Sequence, residues 1–214
     1  MPLPALPAAV VIRDVGPRDG LQPEAPVAID DRVRLVDALV RSGITRIEAA
    51  AFVSPTAVPA MAGAAEVLAA VPRSPSVRYS ALVPNVRGAE LAMQCQVDEL
   101  TVTISLSETY NQRNVHMSTD ESARAIEAIC RVAGDRPVDA VLSCAFGSPY
   151  EGDVAPAAVH VLAERLRQAG CEAITCADTT GMATPRRIAE VVDAVGTDVG
   201  LHLHETRGTA LVCA

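Results

Sequence analysis

Residues 172–208 read EAITCADTTGMATPRRIAEVVDAVGTDVGLHLHETRG, one complete strand–helix–strand unit. The run 172–176 (EAITC) has the length and apolar content of a buried strand. A polar turn follows, and Thr184-Pro185 then reads as an N-cap with proline at the first helical position. Ile188, Val191 and Val195 keep the spacing of one helix face, Gly196 ends it, and 199–204 (VGLHLH) is the next strand. Two strands joined by a crossover helix pair in parallel. The second strand also carries chemistry. Residues two apart on a strand share a face, so His202 and His204 present their imidazoles side by side. An aspartate brought alongside would complete a facial set of nitrogen and oxygen ligands for one divalent cation.

The same alternation extends back to the start of the chain. Strands are expected at 10–15 (VVIRDV), 44–49 (ITRIEA), 77–83 (VRYSALV), 98–104 (DELTVTI) and 138–144 (VDAVLSC). Asp30 is expected to cap a helix with Val33, Val36, Leu39 and Val40 inward and Gly43 at its end. Ser118 with Glu121 forms a capping box ahead of Ala123, Ile126 and Ile129. Val154, Ala158, Val161 and Leu162 mark a further helix closed by Gly170. Seven β/α units leave a doubly wound sheet or a (β/α)8 barrel. No Gly-x-Gly-x-x-Gly or Walker sequence follows a strand, which disfavours the first. Polar, glycine- and proline-rich loops follow nearly every strand at its C-terminal end, as on the active face of a barrel. The expected fold is therefore an α/β, parallel TIM-type barrel. Residues 8–214 form its one domain, which lacks its last unit because a barrel takes roughly 250 residues. Strands one and seven would then be open edges, inviting a homodimer or a completing chain.

Composition narrows the function. The net charge of −8 argues against nucleic acid, which requires a basic face. The N-terminus lacks a basic, apolar leader, and no apolar run is long enough for a membrane span, so neither secretion nor a membrane is expected. The six cysteines (95, 130, 144, 171, 176, 213) show no Cys-x-x-Cys spacing and read as buried thiols of a reducing cytoplasm, not disulfides or a zinc site. All 18 basic residues are arginine. A carbon–carbon lyase stabilises its carbanion through a lysine Schiff base or through an electrophilic metal, and with no lysine only the metal remains.

The loops carry a resemblance. GPRDGLQPE (16–24), IEAAAFVSPTAVPAM (47–61), VPNVRGAE (83–90), SETYNQRN (107–114), SPYEG (148–152), CADTTGMATP (176–185) and LHLHETRG (201–208) occur in the order seen in the hydroxymethylglutaryl-CoA lyase family. That family belongs to a metal-dependent barrel superfamily shared with acyl-CoA condensing synthases. The resemblance implies retro-Claisen cleavage of a 3-hydroxyacyl-CoA, such as 3-hydroxy-3-methylglutaryl-CoA, to acetyl-CoA and acetoacetate, in leucine degradation and ketone-body formation. It implies Mg²⁺ or Mn²⁺ on Asp19, His202 and His204. Arg18 would face the thioester carbonyl, Glu48 and Asp178 would orient ligands or relay protons, and Thr175 would offer a hydroxyl to substrate. Arg87 and Arg113, with Arg207 a weaker candidate, would meet the phosphates of coenzyme A.

Bland alternatives stand beside these roles. Asp19 could make only the Asx-turn that Asp-Gly favours, and Glu48 and Asp178 could be loop or cap carboxylates. His116 and His160 read as a loop and a helix-surface residue, Cys144 and Cys176 as filler. Ala51 stands where the family commonly has serine, which opens the identity of the acyl group. The family's cysteine loop and asparagine ligand have no counterpart in these 214 residues, so little turnover is expected from them alone. A non-catalytic metal-binding fragment and, less favoured, a condensing synthase are the alternatives.

Overall fold

The computed structural model describes residues 9–208 and 210–214. The chain divides into two units, Met1–Ala81 and Leu82–Ala214, and buried apolar residues occur in both.

The first unit holds β1 (Arg13–Asp14), a wide helical turn at Gly16–Gly20, α1 (Ile29–Arg41), β2 (Arg46–Ala51) and α2 (Ala64–Ala70). It ends on β3 (Arg78–Leu82), whose last residue belongs to the second unit. β1 and β2 are parallel, with Arg13 opposite Arg46 and Asp14 opposite Ile47. The Arg78 N–H donates to the Thr45 carbonyl at 2.8 Å, which sets the start of β3 beside that of β2. From Ile47 to Ala51 every residue of β2 is buried, the pattern of a parallel strand covered on both faces. β1 is shorter than the apolar run 10–15 suggests. Val10, Val11 and Ile12 are 71%, 68% and 61% exposed, so the run reaches the ladder only at Arg13. Asp30 lies within the first turn of α1 and does not cap it. Ala28 occupies the cap position, and Asp30 and Asp31 favour the helix through its N-terminal dipole instead.

The second unit continues with α3 (Val86–Gln94), β4 (Glu99–Ser105), α4 (Glu108–Val115), α5 (Thr119–Ala133), β5 (Val138–Ser143) and α6 (Pro156–Gln168). It closes with β6 (Ala173–Asp178), α7 (Pro185–Val195), β7 (Gly200–Leu203) and the short α8 (Ala210–Cys213). β4 to β7 pair in chain order, all parallel. The helix signals of the sequence appear as caps. Ser118 and Glu121 form the reciprocal box at the start of α5, and the Thr184 side chain accepts from the Arg187 N–H ahead of α7. α6 is rotated from the expected face: Val159 is fully buried whereas Val161 is 66% exposed. The stretch SETYNQRN, read as loop, contains α4. Ser107 accepts from the Tyr110 N–H and starts a helix whose polar composition hides it from any apolar periodicity. Among the described residues no helix is long and apolar enough to cross a membrane.

Candidate metal centre and its loops

The turn after β1 is built by its own backbone. The Asp14 side chain accepts from the Gly16 N–H at 2.9 Å, and the Val15 carbonyl accepts from Asp19 at 2.7 Å and from Gly20 at 3.4 Å. Wide helical turns of this kind are frequent at functional sites. This one turns Arg18 inward, to 8% exposure, against Glu48 on β2, which is 1% exposed. Arg18 Nε donates to Glu48 Oε1, and Arg18 Nη1 donates to Asp19 Oδ1 at 2.6 Å. The guanidinium thus fixes Asp19 and is itself fixed by Glu48. Its Nη2 has no hydrogen-bond partner among the described residues. Glu48 acts in the structure as the group that positions Arg18.

In the second unit, β7 lies beside β6 with His202 level with Ala177 and Leu203 level with Asp178. His202 Nε2 and His204 Nε2 are 2.9 Å apart, their rings nearly perpendicular at 81°. His204 Nδ1 lies 3.3 Å from the Thr179 carbonyl. A carbonyl only accepts, so Nδ1 carries the proton and His204 Nε2 offers a lone pair.

Asp178, at the end of β6, has one oxygen committed. Its Oδ1 accepts from the Ala183 N–H at 2.9 Å and holds the CADTTGMATP loop. Oδ2 has no donor among the described residues. Thr175 sits three residues earlier, in the half of β6 away from that loop, and its hydroxyl is directed at the buried Asp139 carboxylate, 2.9 and 3.1 Å from its oxygens. Gly200 faces it across the sheet. A Cβ there would lie 2.6 Å from Thr175 Oγ1, so the close approach of β7 needs glycine.

Arg87 and Arg113 stand on helices, α3 and α4, not on loops, and both are exposed. Arg113 lies over the Tyr150 ring, 4.6 Å from its centroid, with Nη1 3.2 Å from the hydroxyl. Arg207 donates to the Ala183 carbonyl at 2.8 Å. His116 and His160 are exposed, as expected for surface residues. Cys144 and Cys176 are fully buried, and burial pushes both thiols up, Cys176 to about 11.

One network was not foreseen. Glu151 accepts from Ser107 Oγ, from Ser148 Oγ at 2.8 Å and from the Thr109 N–H at 3.0 Å. It ties the loop after β5 to the start of α4. Ser107, Ser148 and Glu151 all lie in the quoted loop motifs, but only folding shows that they meet. The hydrogen bond from Ser107 leads the causes that hold the Glu151 carboxyl down at about 2, against an ordinary 4.5. A depressed folded pKa means that this contribution is present above about pH 4.5 and is lost as pH falls toward 2. Glu151→Gln is therefore expected to lower stability near neutrality, with the gap to wild type narrowing on acidification. Urea unfolding at stepped pH checks this; a gap constant down to pH 3 contradicts it.

Comparison with known proteins decides the family. A family model described as HMGL-like matches residues 9–214. The chain belongs to the HMGL-like family. Over 214 residues it is 40% identical to the 3-hydroxy-3-isohexenylglutaryl-CoA/hydroxymethylglutaryl-CoA lyase of Pseudomonas aeruginosa, covering 96% of this chain and 71% of that protein. The crystal structure of hydroxymethylglutaryl-CoA lyase from Pseudomonas aeruginosa superposes with a TM-score of 0.92 at 40% identity, again over 96% and 71% of the two chains. A lyase of this family from Acinetobacter baumannii, solved with coenzyme A and 3-methylmalate, superposes with a TM-score of 0.89 at 35% identity, over 95% and 69%. The fold is thus the α/β TIM-type fold expected from the sequence, with seven strands among the described residues.

Proposed function

We propose that this chain catalyses the divalent-metal-dependent retro-Claisen cleavage of 3-hydroxy-3-methylglutaryl-CoA to acetyl-CoA and acetoacetate. The observation that carries the reading is the imidazole pair, with both Nε2 atoms converging and the His204 tautomer set by Thr179. In a TIM-type barrel the strand C-terminal ends share one face. By resemblance to the family, Asp19 joins His202 and His204 as the third ligand. Two imidazoles and a carboxylate without thiolate suit Mg²⁺ or Mn²⁺. When bound, such an ion polarises the substrate's 3-hydroxyl and favours its alkoxide.

The protein groups do the rest. As the hydroxyl loses its proton the C2–C3 bond breaks, and its electron pair moves onto the thioester carbonyl. Arg18 faces that oxygen, permanently charged and oriented by Glu48, where negative charge develops. Asp178 is placed to move a proton through Oδ2 while Oδ1 keeps the loop in place. Thr175 is left out of the substrate set because its hydroxyl is used on Asp139. The residues 8–214 act as one barrel domain in the cytoplasm, within leucine breakdown and ketone-body formation.

With protein in excess over substrate, acetyl-CoA should form in Mg²⁺ or Mn²⁺ and stop on chelation. Hydroxymethylglutaryl-CoA left intact in every metal would refute the proposal. Ala51, buried on β2, supports a second acyl group. A methyl where the family commonly has a hydroxyl suits a longer 3-alkyl substituent, the kind named for the Pseudomonas aeruginosa relative. A higher kcat/KM for the isohexenyl substrate would select it. Arg87 and Arg113 are assigned to the coenzyme A phosphates. Affinity for coenzyme A should fall with salt and fall further, with a shallower salt slope, in Arg87→Ala and Arg113→Ala. Salt-indifferent binding, unchanged in both variants, would remove them from the site.

A further inference from the structure

Away from the imidazole pair, two thiols face each other. Cys130 is in the last turn of α5, and Cys171 follows the turn that ends α6, two residues before β6. They are 41 residues apart in sequence, yet their Sγ atoms lie 3.7 Å apart. The backbone closes on them: a Cβ on Gly170, whose φ is +106°, would stand 3.3 Å from Cys130 Cβ. A disulfide needs about 2.05 Å between sulfurs, so closing the gap takes a shift of about 1.7 Å, within reach of side-chain torsions. Cys171 is 4% exposed and Cys130 is half-buried, so an oxidant meets Cys130 first.

We propose that Cys130 and Cys171 are a redox-modification site, a thiol pair that closes to an intrachain disulfide when the oxidant is a peroxide or a small-molecule disulfide. With peroxide, the Cys130 thiolate attacks one oxygen, the O–O bond breaks and hydroxide leaves, giving a sulfenic acid. The Cys171 sulfur then attacks the Cys130 sulfur, and its proton departs with the hydroxyl as water. Two thiols are oxidised and one peroxide is reduced to two waters. The division of roles agrees with acidity. The contact with Cys171 lowers the Cys130 thiol, while the same contact and burial push Cys171 up.

The cross-link lies at the end of the strands opposite His204, Asp178 and Ser148, since Cys171 precedes β6 and those residues follow or end their strands. It ties α5 to the entry of β6, where it stiffens the second unit without touching the reacting groups. The apparent Tm should rise by about 5–10 °C on closure of a loop of this length.

The test treats the full chain with hydrogen peroxide or oxidised glutathione, alkylates without reductant and maps the peptides. Free thiols should fall from six to four, with Cys130 joined to Cys171. Cys176 shares a tryptic peptide with Cys171, so the assignment is read from fragment ions and repeated in Cys176→Ala. Cys130→Ser should abolish both cross-link and Tm shift, and Cys171→Ser should leave a sulfenic acid at Cys130 that dimedone traps. Alkylation of both cysteines after oxidation, a bridge to Cys95 or Cys176, or a Tm rise surviving in Cys130→Ser would overturn the proposal.

Discussion

Arg18→Ala is expected to lower kcat by about 10²–10³, the cost of removing one donor to a developing oxyanion. It should also destabilise the protein by about 3–5 kcal/mol. That second cost comes from Glu48, 1% exposed, which loses the buried partner it is paired with. The effects are separable. Arg18→Ala with Glu48→Gln removes the buried charge and should recover much of the stability, yet none of the activity. Metal affinity should weaken in Arg18→Ala too, because Arg18 Nη1 holds Asp19 Oδ1 at 2.6 Å. The family resemblance implies two roles, arginine on the enolate and aspartate on the metal; the shared hydrogen bond couples them. Arg18→Lys should rescue poorly, since one ammonium cannot serve Glu48, Asp19 and substrate in a fixed plane. Full activity in Arg18→Ala, or a double variant as unstable as the single, would show that the guanidinium does neither job.

How far the residues spoke for themselves depended on range. The β6–α7–β7 stretch was legible because every signal in it is local: the Thr184 cap, Pro185, the apolar face of α7 and Gly196 act within a few residues. The Ser118–Glu121 box was legible for the same reason. α4 was not, because its helix is set by one serine cap and by Glu151 reaching over from the loop after β5. The apolar run 10–15 misled in the opposite direction. Val10, Val11 and Ile12 have strand composition, but pairing decides whether strand composition becomes a strand, and it begins only at Arg13. In the candidate site, the side-by-side imidazoles follow from strand periodicity alone. Which ring nitrogen offers its lone pair does not, since Thr179 lies 25 residues away. Thr175 shows the limit of a motif. Asp178, at the end of β6, holds the loop, but Thr175 lies deep enough on the strand to meet Asp139 instead.

Mn²⁺ at about 100 times its Kd is expected to raise the apparent Tm by about 5–10 °C, because an ion bound only by the folded state contributes about 2.7 kcal/mol at that excess. His202→Ala and His204→Ala should each cancel the shift and reduce acetyl-CoA release by about 10³ or more, the loss expected when the ion that stabilises an alkoxide is gone. Both imidazoles are partly exposed, so the metal-free Tm of each variant should stay close to that of the wild type. Asp19→Asn distinguishes the three-residue site from a bare imidazole pair. If Asp19 is the third ligand, the amide binds the ion more weakly and the thermal shift shrinks as it does in the histidine variants. A full shift in Asp19→Asn, alongside its loss in His204→Ala, would mean that the imidazoles hold the ion without Asp19. The carboxylate beside Arg18 would then be needed only for keeping that arginine in place.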